Sequence, residues 1–397
     1  MSKNIVFCAD GTWNHPSDPE TDDSAHPSNV FKLFVKLEGK DDPASTRLAN
    51  EQEKTLTAPD GSTVQVAKYL HGVGDSNNFL VRVLGGGFGE GMITRIVRGY
   101  TFVSRNYEPG DKIYLVGFSR GAYIARALAG LISAKGLLPP SVATGDNKDE
   151  AYRQGSAVWY AWRQEVVGDD ALPRLQEFAR DLPHFLVEDP SKTDLVRAPI
   201  EAVAVWDTVG SYGIPEFDEH GAVIDSFRFA DTKLSDNINF GRHAVSIDEQ
   251  RVNFTPTLWQ PDARRIVQVL FPGGHADIGG GYLTAESGLS DCALKWMTRE
   301  LKGFGVKIGP PVIPEEPNPC GTDHEEWAKP LWQLIGNRPR QIPNAPGLAL
   351  SEAVLLRLSA AAGLLPAPYL PSNIASYVIE KMAAAEVEVI ALNDPDG

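Results

Sequence analysis

Residues 112–126 read "KIYLVGFSRGAYIAR": an apolar run, a Gly-Phe-Ser-Arg-Gly pentapeptide, then small and apolar residues at helical spacing. Ile113, Tyr114, Leu115 and Val116 follow Pro109-Gly110 and have the pattern of a short buried strand. Ala122, Ile124, Ala125, Ala127, Leu128, Leu131 and Ile132 recur with a helical period until Gly136, a natural C-terminal stop. A strand that turns into a helix this abruptly needs a sharp corner, and Ser119 stands at it. A strained backbone is expected there, while Gly117 and Gly121 lack the Cβ atoms that would collide as strand and helix pass. The Ser119 hydroxyl then points outward at the carboxyl edge of the sheet. Behind it the first helical N–H groups, that of Arg120 foremost, are placed to donate to an oxyanion.

Outward from this corner, strand-like runs fall at 4–9, 64–70, 200–205 and 264–270, and helical patterns at 94–107 and 290–303. Alternating strands and helices predict an α/β fold, a mostly parallel sheet with helices on both faces. Two stretches read as insertions. Residues 139–198 carry dense charge and the aromatic segment "AYRQGSAVWYAWRQEV". Residues 305–346 are proline-rich and lead into "ALSEAVLLRLSAAAGLLPAPYLP", an apolar helix broken by prolines. The expected organisation is a catalytic core over 1–305 with an inserted helical segment at about 139–198. A proline-rich connection and a C-terminal helical region follow over 306–397, forming a cap or padding the core.

The bulk properties narrow the partners. With 397 residues and 42% hydrophobic residues the chain can bury a sizeable core. A formal net charge of −15 and no dense basic run disfavour nucleic acid and anionic bilayer surfaces. Three scattered cysteines, Cys8, Cys292 and Cys320, fit a reducing compartment and exclude a disulfide scaffold. The N-terminal apolar run is strand-sized and meets Asp10, too short for a signal peptide, and no stretch reaches the ~20 apolar residues of a membrane span. The chain therefore reads as soluble, cytoplasmic or exported without a cleaved signal. Its oligomeric state is not legible.

A serine at such a corner needs a base to take its proton and a carboxylate to orient that base. His15, His26, His184, His220 and His324 lie in polar or charged loops and suit a surface role. His243, in "NFGRHAVSIDEQR", is read as helical, with a packing or hydrogen-bonded role; His71, in "YLHGVGD", is a minor candidate. His275 follows the strand "RRIVQVLF" inside "PGGHADIGGGY", where glycines allow a tight loop at the strand's carboxyl end, so it is the expected general base. Asp207 ends the run "IEAVAVWD" and is the expected acid; Asp277, two residues past His275, is assigned to loop structure. After the first strand, "CADGTWN" offers the backbone N–H groups of Gly11 and Thr12 as further oxyanion donors. "LGGGFGEGM" fits no register of G-x-G-x-x-G, so no dinucleotide cofactor is expected. A metal set of Asp10, His71, Asp277 and His275 lacks recognisable ligand spacing, and no metal is expected.

Taken in order, "DGTWN", "HGVG", "GFSRGAYIAR", "VWDTVGSYG", "NFGRHAVSIDEQR" and "FPGGHADIGGGY" resemble a poorly characterised α/β-hydrolase domain family whose best-known members are the type VI secretion phospholipase effectors. The resemblance spans about residues 5–282 and the helix that follows. It implies an α/β-hydrolase-like fold and a Ser-Asp-His triad at Ser119, Asp207 and His275. It further implies hydrolysis of carboxylic esters through an acyl-enzyme and, in the effectors, of phospholipid acyl chains. Amide cleavage uses the same groups, and a binding protein that keeps the fold without catalysis is the alternative from another class. The substrate expected is an acyl ester or lipid. The acidic body and the short stretch after these motifs favour soluble short- to medium-chain esters over bilayer phospholipid, with transient membrane contact left open. Trp159, Tyr160, Trp162, Leu364, Leu365, Tyr369 and Leu370 are expected to line an acyl pocket.

Overall fold

In β1 (Asn4–Ala9) every residue is buried, because the strand has a parallel neighbour on each side and helices over both faces. Ile5, Phe7 and Ala9 point into one apolar core and Val6 and Cys8 into another, the period-2 alternation of a strand with no wet face. The computed structural model describes residues 2–11, 26–43, 51–72, 89–144, 148–167, 195–209, 216–217, 223–224, 232–342, 347–374 and 389–392. After β1 the chain runs through α1 (Asn29–Lys36), β2 (Lys40–Asp41), β3 (Glu51–Thr57), β4 (Thr63–Leu70) and α2 (Gly89–Asn106). Next come β5 (Lys112–Phe118), α3 (Arg120–Lys135), α4 (Lys148–Val167), β6 (Ile200–Trp206), β7 (Ile238–Ser246) and β8 (Ile266–Phe271). The last elements of the frame are α5 (His275–Gly279), α6 (Gly288–Gly303), β9 (Leu348–Ser351) and β10 (Val389–Ile390).

Among the described residues these ten strands form one sheet in the order β10-β9-β8-β7-β6-β5-β1-β4-β3-β2. Pairing is parallel from β10 to β4; β3 and β2 close one edge antiparallel. The α/β class and the mostly parallel sheet expected from the sequence are present. The order reverses at β1, which has β4 on one side and β5 on the other, and the crevice beyond the carboxyl ends of strands at such a reversal is where open α/β sheets place their ligands. One face is covered by α2, α3 and α4 through Val97, Leu128 and Trp159; the other by α1 and α6 through Phe34 and Trp296.

Three local expectations give way. The segment holding His243 is the strand β7, not a helix: it fills the gap between β6 and β8, and its Arg242, His243 and Ser246 side chains are buried with partners. Trp159, Tyr160 and Trp162 lie in the main core, with Trp159 and Trp162 edge to face at 5.3 Å, so this face of α4 packs inside and lines no acyl pocket. Residues 306–397 supply β9 and β10, which pair in parallel beyond β8, so the region extends the sheet. Leu364 and Leu370 are exposed. No helix among the described residues is long and apolar enough to cross a membrane.

Candidate active site

Ser119 sits between β5 and α3 with φ 57° and ψ −122°, a left-handed backbone that costs about 1–3 kcal/mol for a residue other than glycine. The corner is held by its N–H, which donates to the Trp206 carbonyl at 3.1 Å, and by its own carbonyl, which accepts from the Tyr123 N–H at 3.2 Å. The two glycines are required by close approach. A Cβ on Gly117 would lie 2.3 Å from the Gly121 carbonyl oxygen, and one on Gly121 would lie 2.0 Å from that of Ala9.

Three strand ends bring the expected groups together. His275 Nε2 is 2.8 Å from Ser119 Oγ, and His275 Nδ1 is 2.6 Å from Asp207 Oδ2. Asp207, just past β6, also has positive φ, 35°, and its N–H donates to the Ala244 carbonyl at 2.7 Å. The imidazole of His275 lies between two rings, Phe118 at 4.7 Å and Phe254 at 4.9 Å between centroids. The backbone N–H of His275 donates to Glu249 Oε2 at 3.2 Å, and Arg251 forks onto the same carboxylate. Ser246, at the end of β7, donates its N–H to Asp207 Oδ1 at 3.0 Å and its hydroxyl to the Gly273 carbonyl at 2.7 Å, joining the acid to the histidine-bearing turn.

The electrostatics separate the groups. Burial alone would raise the Asp207 pKa, but Arg340 and the hydrogen bonds from His275 and Arg340 hold the carboxyl far below the usual range. Burial lowers the His275 pKa, against the upward pull of Asp207. The pair is therefore a carboxylate facing a neutral imidazole, with Nδ1 donating to Asp207 and Nε2 left to accept from the serine hydroxyl. Arg120, next to the serine, has its pKa lowered to about 10 by burial and then by the charge of Arg95.

The other sequence candidates take different places. Asp277 shapes the turn: its Oδ2 accepts from the Gly274 N–H at 2.9 Å and the His324 N–H at 3.1 Å, and its Oδ1 is 2.7 Å from His324 Nδ1. His243, buried with its pKa lowered to about 3 by burial and then by Arg126, accepts at Nε2 from the Thr208 N–H at 3.0 Å. His71 Nδ1 donates to the Gly72 carbonyl at 2.7 Å. Asp10 accepts at Oδ2 from Ser28 Oγ at 2.7 Å and Tyr69 OH at 2.6 Å. The Gly11 N–H, expected to face an oxyanion, donates to Asp10 Oδ1 at 2.6 Å and is engaged; Thr12 lies outside the described residues. Arg340 is the residue that sequence reading missed. It follows α6 by tens of residues in a proline-rich stretch and carries no motif, whereas Glu249 and Arg251 stand inside the quoted "SIDEQR".

Residues 3–300 match the family model described as "T6SS, Phospholipase effector Tle1-like, catalytic domain". Among curated proteins, "Uncharacterized protein YEL023C" of Saccharomyces cerevisiae is 28% identical over 260 residues, 65% of this chain and 33% of the yeast protein. A solved structure of an uncharacterized protein from Pseudomonas aeruginosa is 18% identical with a TM-score of 0.43, covering 78% of this chain and 46% of that one. Another, the Tle1 effector bound to the VgrG spike of the type 6 secretion system, is 15% identical with a TM-score of 0.36, covering 73% of this chain and 53% of that one. This chain thus spans about a third to a half of the length of the proteins it resembles. Its match to the family model takes in every strand from β1 to β8, and the chain belongs to the Tle1-like phospholipase effector family, through that family's catalytic domain.

Proposed function

We propose that the chain is a serine hydrolase of the α/β-hydrolase type that cleaves carboxylic ester bonds of lipids. The observation that carries this reading is the continuous relay from Ser119 Oγ to His275 at 2.8 Å and on to Asp207 at 2.6 Å, drawn from three strand ends. Ser119 Oγ attacks the acyl carbonyl while His275 Nε2 takes its proton, and the imidazolium is stabilised by Asp207. The carbonyl oxygen becomes an oxyanion beside the first turn of α3, where the Arg120 N–H is the donor assigned to it. Collapse of the tetrahedral intermediate expels the alcohol, protonated by His275, and leaves an acyl-enzyme. Water, deprotonated by His275, attacks the acyl carbonyl and releases the carboxylic acid with Ser119 restored. Gly11 would add a second donor only on releasing Asp10.

Family membership supports an acyl ester of a phospholipid as the substrate. The net charge of −15 supports zwitterionic or dispersed lipid over an anionic surface. The test joins active-site labelling to turnover. A fluorophosphonate should label Ser119 in the native chain and not in Ser119→Ala. The variant should lose ~10³-fold or more of its ester turnover with its melting temperature held. Retention of more than ~1% of the activity would overturn the assignment. Rates on p-nitrophenyl esters of rising chain length, set against zwitterionic and anionic vesicles at two salt concentrations, decide the substrate. Faster turnover of intact anionic vesicles than of any other substrate would refute the charge argument.

A further inference from the structure

Arg340 stands in "NRPRQI", residues 337–342, beyond the residues that match the family, yet its side chain is buried at the site. Its Nη1 donates to Asp207 Oδ1 at 2.7 Å and its Nη2 to Asp207 Oδ2 at 2.8 Å, the two parallel bonds of an arginine fork. Each Nη makes a second bond as well, Nη1 to the Ser246 carbonyl at 2.9 Å and Nη2 to that of Phe254, which leaves Nε as the one guanidinium nitrogen without a hydrogen bond. The backbone beside it is tied to the same turn, the Arg338 N–H donating to the Gln250 carbonyl at 2.7 Å. We propose that Arg340 is a positioning residue for the reaction: it locks the plane of the Asp207 carboxylate and balances its charge, so that His275 remains an unprotonated base in mildly acidic surroundings. This inference rests on the triad reading of Ser119, His275 and Asp207.

The effect of Arg340 on the site has two parts. Asp207 accepts four hydrogen bonds, from His275 and Arg340 on Oδ2 and from Ser246 and Arg340 on Oδ1. Rotation of the carboxylate breaks both arms of the fork at once, so the oxygen that orients His275 Nδ1 has a fixed position. The second part is charge. Among the described residues, the titratable and charged groups around His275 and its carboxylate partner are Asp207, Glu249, Arg251, Arg340, the buried His243 near Asp207, Asp248 on the Gly273 N–H and, on its own helix, Asp277. Asp207 is paired with Arg340, Glu249 with Arg251, and Asp277 with His324. An imidazolium at His275 therefore meets ion pairs in place of a bare carboxylate, and gains less from Asp207 than an unpaired aspartate would give it. The C-terminal segment, outside the matched catalytic domain, thereby completes the site.

The experiment is the pH dependence of kcat/KM, and of the rate of fluorophosphonate labelling, for the full chain with Arg340→Met, Arg340→Gln and Arg340→Lys. Removing the positive charge should move the acid limb upward by ~1 pH unit or more, with kcat falling and KM little changed. Arg340→Lys keeps the charge without the fork, so its limb should stay near that of the native chain while kcat still falls. A folded, active Arg340→Met whose acid limb coincides with the native one would overturn the proposal. If both neutral variants fail to fold, the native chain decides: an acid limb below the ordinary histidine value of 6.5 supports the charge balance, and one above it overturns it. Ser119→Ala separates the two levels. A native chain that neither turns over esters nor takes the label at Ser119 would bring down the triad reading and this inference with it, whereas an unmoved acid limb in an otherwise active enzyme would remove Arg340 alone.

Discussion

Asp207 and Asp277 are carboxylates on either side of one histidine, and their partners give them opposite roles. Asp207→Asn places an amide against both the Nδ1–H of His275 and the fork of Arg340. The wrong tautomer should cost on the order of 10⁴ in kcat. Because Arg340 would then be a buried cation without its counter-charge, about 3–5 kcal/mol of stability should go with it. Asp277→Asn breaks instead the ties of the turn to Gly274 and His324, so its melting temperature should fall while kcat stays within ~10-fold of native. Measuring kcat and melting temperature on both variants checks this, and a reversed pattern would exchange the two assignments. His324 adds a pH signature. Burial alone would lower its pKa, but Asp277 and then Glu286 raise it. Its contribution to stability is therefore fully present below the ordinary value of 6.5 and is lost as pH rises through the raised folded value. The melting temperature should decline on going from about pH 6 to about pH 9, and His324→Gln should flatten that decline.

At the level of the element, what could be read depended on whether one segment carried its own signal. The strand expected at 4–9 is β1, Asn4–Ala9, and the strand, corner and helix of 112–134 stand where the apolar periods put them, because both faces of those strands are apolar and the pattern is local. The β7 strand was hidden because Arg242, His243 and Ser246 look like a polar helix face in isolation. Their pairing with Glu300, Thr208 and Gly273 is made only by the folded chain. In α1, Lys32 and Lys36 are both buried, on Asp291 and Glu315, partners that no local pattern announces. The β9 strand is four residues long, too short for a period to show. Arg340 was illegible for the same reason as β7, since nothing near it in sequence says that a carboxylate waits 133 positions away. The corner itself makes a sharp prediction. Gly121→Ala has no strain from φ to relieve, only a Cβ 2.0 Å from the Ala9 carbonyl, so β1 and α3 must separate. That overpacking should cost about 1–3 kcal/mol or more, and it should slow fluorophosphonate labelling by displacing Ser119. An unchanged melting temperature would show that the strand and helix do not cross so closely.

For the whole molecule, the question is where the catalytic unit ends. The matched family stretch stops at residue 300, and a core over 1–305 was the expectation from the sequence. The sheet continues past it. Beyond β8 lies β9, whose Leu348 and Leu350 pack with Val245, Ile247 and Leu270 in a third apolar cluster, and between α6 and β9 lies Arg340. Cutting at 305 would strip β8 of β9, its outer parallel neighbour, and expose an apolar edge, the feature that drives strand-to-strand aggregation. It would also leave the Asp207 carboxylate buried without the arginine fork. A chain of residues 1–305 should therefore aggregate or melt without cooperativity, and what remains soluble should take up fluorophosphonate far more slowly than the full chain. Supplying residues 306–397 as a separate polypeptide during expression should recover part of the labelling, because the missing strand and the missing charge arrive on one segment. A soluble 1–305 fragment that melts cooperatively and labels at the native rate would show that the later segment is a detachable covering, and that the sheet beyond β8 contributes nothing the site requires.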